Sequence, residues 1–81
     1  MNTIAINFNS QPTQVPEGTT LRQIIAGHIG KELNDAGQAA DGSKLGIAAA
    51  VNGAVVPRSG WAAKELAEGC SIELVTAAQG G

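Results

Sequence analysis

Apolar and polar residues alternate along the first stretch of the chain. In TIAINF, Thr3 to Phe8, the residues Ile4, Ile6 and Phe8 fall on one side and Thr3, Ala5 and Asn7 on the other. That is the period of a half-buried strand. Asn9-Ser10 reads as turn material, and Gln11 to Val15 as a second strand returning beside the first. Pro12 cannot donate to a ladder, so this strand lies at an edge or begins after it. The period then changes. Leu21, Ile24, Ile25, His28 and Ile29 recur at helical spacing and make one face of a helix. Thr20, with Gln23 three residues on, suits a capping box at its start. Gly30 suits the stop, and Gly27 weakens the last turn.

Periodicity fades from Lys31 to Lys44. Lys31 to Ala36 either extends the helix or forms a short second one, and the Gly, Ala, Asp and Ser that follow read as a mobile loop. LGIAAAVNGAVVP is more explicit. Two apolar runs flank Asn52-Gly53, the strongest short hairpin signal, because both central residues of a type I′ turn need positive φ. Gly46 to Val51 and Ala54 to Val56 are therefore expected to pair, with Pro57 ending the second. Ser59 to Leu66 has room for a short helical turn, Glu68-Gly69 for a tight turn, and SIELV, Ser71 to Val75, alternates as a last strand. After Val75 the pattern stops, and the chain ends AAQGG. This order predicts an α+β domain over residues 1–76: a mixed sheet of four to five strands, one main helix on one face, and a flexible tail at 77–81. If the first and last strands lie side by side in the centre, the tail leaves from the middle of the sheet.

Eighty-one residues allow one domain with a small core. The net charge of −2 and five scattered basic residues, with Phe8 and Trp61 as the only Phe, Tyr or Trp residues, give no cationic, stacking face for nucleic acid. The single cysteine, Cys70, excludes an internal disulfide and a Cys-based zinc site. It reads as a turn or strand-start thiol, with nothing to place His28 beside it for Cys–His catalysis. His28 alone is no metal site and reads as a residue at the core margin. The start, MNTIAINF, lacks the charge and apolar run of a signal peptide, and no apolar run is long enough to span a membrane. A soluble, cytoplasmic protein is expected. Trp61 reads as a packing residue whose N–H needs a partner, or else as an exposed docking residue. Arg58 is either structural or a partner contact. The glycines from Gly37 to Gly46 lack the spacing of a phosphate loop. No acid, base and nucleophile constellation is present, so the chain is not expected to be an enzyme.

The segment AVNGAVVPRSGWA, Ala50 to Ala62, resembles the bacterial sulfur carrier proteins of the thiamine pathway, the ThiS family. The opening strand, the EGTTL helix start, the Glu68-Gly69 turn and the terminal Gly80-Gly81 are also similar, so the likeness covers most of the chain. It implies a β-grasp, ubiquitin-like fold in which the carboxylate of Gly81, at the end of a tail that includes Gly80, is the working group. The implied partners are an adenylyltransferase of the ubiquitin-activating type, which uses ATP to make an acyl-adenylate, a cysteine desulfurase as sulfur source, and thiazole synthase as sulfur acceptor. The implied product on Gly81 is a thiocarboxylate.

The chemistry of the residues agrees. A carboxylate is a poor electrophile until its oxygen becomes a leaving group. Glycine has no Cβ to crowd attack at the carbonyl carbon, and two glycines adopt backbone conformations that other residues resist. Five residues reach at most about 17 Å, enough to enter a neighbour's active site. The carrier itself needs no cofactor or metal. The stretch Gly30 to Lys44 looks longer than usual for the family. Other readings stay open at this point: the small subunit of molybdopterin synthase, a ubiquitin-like modifier that forms isopeptide bonds, and a non-covalent module with an inert tail. VNGAVVPRS favours the thiamine carrier, a monomer when isolated.

Overall fold

β1 (Thr3–Phe8) and β2 (Gln11–Pro16) form the hairpin that the alternation predicts, in the register Ile4↔Val15, Ile6↔Thr13 and Phe8↔Gln11. The structure is a computed structural model that describes residues 2–42 and 46–76. The tail expected at 77–81, Gly80 and Gly81 included, and the end of the expected loop at 43–45 lie outside the described residues.

Ile4 and Ile6 are buried and Phe8 half-buried. Asn7 donates its N–H to the Cys70 carbonyl, and Ala5 accepts from the Gly69 N–H, so residues 5 and 7 of β1 turn their backbone groups toward the end of the chain. Ile4, Ile6 and Phe8 therefore make the bonds to β2, because backbone groups alternate sides along a strand. Pro12, opposite Asn7, then lacks only an N–H that would have pointed away from the sheet.

Helix α1 (Leu21–Ile29) begins as the capping pair predicts. Thr20 Oγ1 accepts from the Gln23 N–H at 3.3 Å, and Gln23 Oε1 accepts from the Thr20 N–H at 2.9 Å. The first helical amides find acceptors in a later segment: Leu21 donates to the Lys64 carbonyl and Arg22 to that of Trp61. The helix stops at Gly30, which takes a left-handed conformation at φ 72°. Leu21 and Ile25 are fully buried, each burial being worth about 1.5–3 kcal/mol. Ile24 and Ile29 are half-buried, and His28 is exposed, its ring in a T-shaped pair with Phe8 with centroids 4.9 Å apart.

β3 (Ile47–Val51) and β4 (Ala54–Val56) form the Asn52-Gly53 hairpin, with φ 52° and 86° at the two turn residues. A 3-10 turn covers Arg58–Gly60, starting one residue before the stretch Ser59 to Leu66 where a short helical turn is expected and ending well before Leu66. β5 (Ser71–Thr76) then enters between β1 and β3. The sheet order is β2-β1-β5-β3-β4, with β1 and β5 parallel and the other pairs antiparallel. Its helix side forms the core: Ile4, Ile6, Ala49, Val51 and Ile72 against Leu21 and Ile25, closed by Trp61, Leu66 and Cys70. The Trp61 ring is buried, and its Nε1–H donates to the Val56 carbonyl at 3.1 Å.

The segment after the helix neither extends α1 nor forms a second helix. Leu33 bridges Ala39 in antiparallel fashion, and both are buried. Asn34 Oδ1 accepts from the amides of Ala36 and Gln38 at 2.9 and 3.0 Å, and Arg22 donates from one guanidinium nitrogen to the Leu33 carbonyl at 2.8 Å. Gly37, at φ 77°, lies so close to Arg58 that a Cβ there would collide with its side chain and carbonyl. This stretch reads as loop from composition because short polar residues carry most of it. Two buried apolar anchors and one asparagine tie it to the core and shape its turn.

Candidate functional site

The site that sequence points to is the C-terminal end of β5 together with the tail. Gly80 and Gly81, the residues expected to carry the chemistry, lie outside the described residues, and the structure describes their root. β5 is the middle strand of five, so the chain leaves the sheet from its centre, as the predicted strand order permits. β3 accompanies β5 from Ile72 to Thr76, through the pairs Ala50↔Glu73 and Ala48↔Val75.

The sheet face opposite the helix carries two exposed valines near this root, beside Glu73. Val75 is 62% exposed and Val55 73%. Val55 stands opposite Ala50, and Ala50 opposite Glu73, so these side chains form a row across three strands; Ala48 and Val75 form the next. The alanines keep the surface low between the two valines. A strand exposing one large apolar residue is ordinary; two of them, bridged by alanines beside the exit of the chain, make a small contiguous patch.

Asparagines at two hairpin tips hold β5. Asn52 donates its N–H to the Ser71 carbonyl at 2.7 Å and accepts from the Ser71 N–H on Oδ1 at 2.9 Å. Asn9 donates to the Ile72 carbonyl at 2.8 Å and accepts from the Leu74 N–H on Oδ1 at 2.9 Å. Sequence identifies both positions as turns, and a side-chain bond to a residue 65 positions away, in one case, leaves no local signal beyond the identity of the residue.

The remaining candidates separate. Cys70 is buried beside the first residue of β5, while His28 lies on the exposed flank of the helix against Phe8. Trp61 is a packing residue. Arg58 is half-buried, its guanidinium carbon 5.8 Å from the Trp61 ring centroid, and Gly37 packs on it. An open groove on the helix side is lined by Arg22, Gln23, Ala26, Glu32 and Leu33. Among the described residues no group of three or more His, Cys, Asp or Glu could hold a metal ion. Among the same residues no helix is long and apolar enough to cross a membrane.

A mixed sheet with parallel central strands, a first and last strand side by side, and one helix packed across a single face define a β-grasp, ubiquitin-like domain. The chain belongs to the ThiS family, whose model matches residues 2–81. That membership carries a sulfur-carrier role in thiamine biosynthesis, in company with an adenylyltransferase and a thiazole synthase. Among solved structures, the thiamine biosynthesis protein (ThiS) from Geobacter metallireducens superposes with a TM-score of 0.68 over 96% of this chain and 100% of that one, at 18% identity. At that identity the likeness concerns the fold. A search among curated proteins returns no match.

Proposed function

We propose that the protein carries sulfur as a thiocarboxylate on Gly81 and delivers it for thiazole formation, acting as a co-substrate of other enzymes. The observation that supports this most is that the family match runs through the last residue, Gly81. In the proposed cycle the Gly81 carboxylate attacks the α-phosphate of ATP on the partner adenylyltransferase and pyrophosphate leaves. The acyl-adenylate has AMP as its leaving group. The terminal sulfur of a cysteine persulfide, formed by a desulfurase, attacks the carbonyl carbon and expels AMP. A second thiol then cleaves the acyl disulfide, releasing the thiocarboxylate and forming a new disulfide. Thiazole synthase accepts the sulfur. No step asks the carrier for an acid, a base or a bound cofactor.

The patch of Val55, Ala48, Ala50 and Val75 suits docking on the adenylyltransferase, since it adjoins the root of the segment that must enter the partner's active site. Burying two exposed valines supports binding without a cluster of charges.

Intact-mass analysis tests the reading. After incubation with the adenylyltransferase from the same genome, ATP and a sulfide source, replacement of one oxygen by sulfur at Gly81 is the expected result. An unchanged mass with a demonstrably active partner refutes it. Isopeptide conjugates to lysines would instead identify a modifier.

A further inference from the structure

The last strand has unequal support on its two sides. β3 follows β5 as far as Thr76. β1 follows it only through Asn7↔Ser71 and Phe8↔Ile72, and then turns back into β2. The turn residues Asn9 and Ser10 are both left-handed, at φ 51° and 70°. Even so, Asn9 continues the parallel ladder by one more step. In a parallel pair, a residue in the register after Phe8↔Ile72 donates to the Ile72 carbonyl and accepts from the Leu74 N–H. Asn9 makes both bonds, the first with its backbone N–H and the second with side-chain Oδ1 in place of its own carbonyl. Few residue types can do this. The position needs tolerance of the left-handed region and a carbonyl oxygen on a short side chain.

Asn52 clasps β5 from the other side by the same device, but at Ser71, the first residue of the strand. Asn9 clasps it at Leu74, close to the exit. Past Leu74, no backbone group among the described residues pairs with β5 on the β1 side.

We propose that Asn9 is a positioning residue for the chemistry of the tail: by holding the Leu74 amide, it fixes the direction in which β5 presents Val75, Thr76 and the residues after them to the adenylating partner. This inference rests on the sulfur-carrier reading. Without the clasp, the second half of β5 is held by β3 alone and samples several exit directions. Only a fraction of molecules is then ready to dock, and the apparent affinity falls by that fraction. Chemistry in the docked complex is unchanged, so KM rises and kcat does not.

Asn9→Gly keeps the left-handed turn and removes Oδ1; Asn9→Asp keeps the turn and an acceptor. Asn52→Gly is the comparator, since it removes the equivalent bond at the far end of the strand. In the isolated protein, amide exchange at Leu74 should quicken about three- to tenfold in Asn9→Gly, the range one neutral hydrogen bond supplies, and stay near wild type in Asn9→Asp and Asn52→Gly. In adenylation by the partner enzyme, KM for the carrier should rise by about the same factor in Asn9→Gly alone, with kcat retained and Asn9→Asp restoring the wild-type value. Equal KM values in Asn9→Gly and Asn52→Gly overturn the proposal. So does faster Leu74 exchange with an unchanged KM. A wild-type chain that an active partner does not adenylate refutes the sulfur-carrier reading itself, a result distinct from either.

Discussion

Gly37→Ala tests whether the segment after the helix is a fixed part of the fold. The substitution has three effects. A non-glycine residue at φ 77° costs about 1–2 kcal/mol through its Cβ. The same Cβ meets the side chain and the carbonyl of Arg58. A backbone carbonyl cannot step aside as a side-chain tip can, so this contact adds about 1–3 kcal/mol of overpacking. Against both, alanine restricts the unfolded chain and returns about 0.4–1 kcal/mol. Gly42→Ala separates the terms, because Gly42 has φ 82° and nothing within 4 Å of an added Cβ. Backbone strain and unfolded-state entropy are common to both variants and cancel in the comparison. The remainder, about 1–3 kcal/mol, is the contact with Arg58. For a domain of this size it lowers Tm by about 4–8 °C per kcal/mol relative to Gly42→Ala. Urea titrations and thermal melts followed by Trp61 fluorescence measure the difference. Equal stabilities for the two variants would show that the segment yields freely and that its packing on Arg58 holds nothing in place.

Four further outcomes are expected. Trp61→Phe should cost about 1–3 kcal/mol in urea denaturation, since it shrinks a fully buried ring and removes the indole hydrogen bond that the Val56 carbonyl accepts beside its ladder bond to β3; an unchanged midpoint would refute the role of that ring. Thr20→Ala should cost about 1 kcal/mol through loss of the cap, and a neutral result would mean the contacts of residues 61–64 suffice to start the helix. Deletion of Gly81 should leave the melt within about 0.5 kcal/mol of wild type and abolish acquisition of sulfur; retained transfer would refute Gly81 as the working residue. Val75→Lys should fold normally, as an exposed position does, within about 0.5 kcal/mol, yet raise KM for adenylation; an unaffected KM would remove the patch from the docking surface.

Elements with strong local signals were legible in the sequence. β1 announces itself by alternation, α1 by the spacing of Leu21 and Ile25 with Thr20 and Gln23 before them, and the β3–β4 hairpin by Asn52-Gly53. The shape of the segment after α1 was not legible. It depends on Leu33 and Ala39 finding the core and on Gly37 meeting Arg58, contacts between residues distant in sequence. The residues of the chain end and their likeness to a family singled out Gly80 and Gly81, which lie outside the described residues; the structure describes the strand that leads to them. The support of β5 was not legible: the bond from Leu74 to Asn9 joins opposite ends of the chain, and a turn asparagine looks the same whether or not its side chain reaches another strand.

The last of the described strands along the chain is the middle strand of the sheet. Ile72, fully buried, and the whole interface between β1 and β3 are supplied only when β5 is present. A chain interrupted before residue 71 leaves two separate hairpins with an uncovered core, and closing β1 against β5 requires nearly the full length of the polypeptide. The sheet thus closes only once β5 is in place. A molecule that has folded has already acquired the strand that leads to its C-terminal residues.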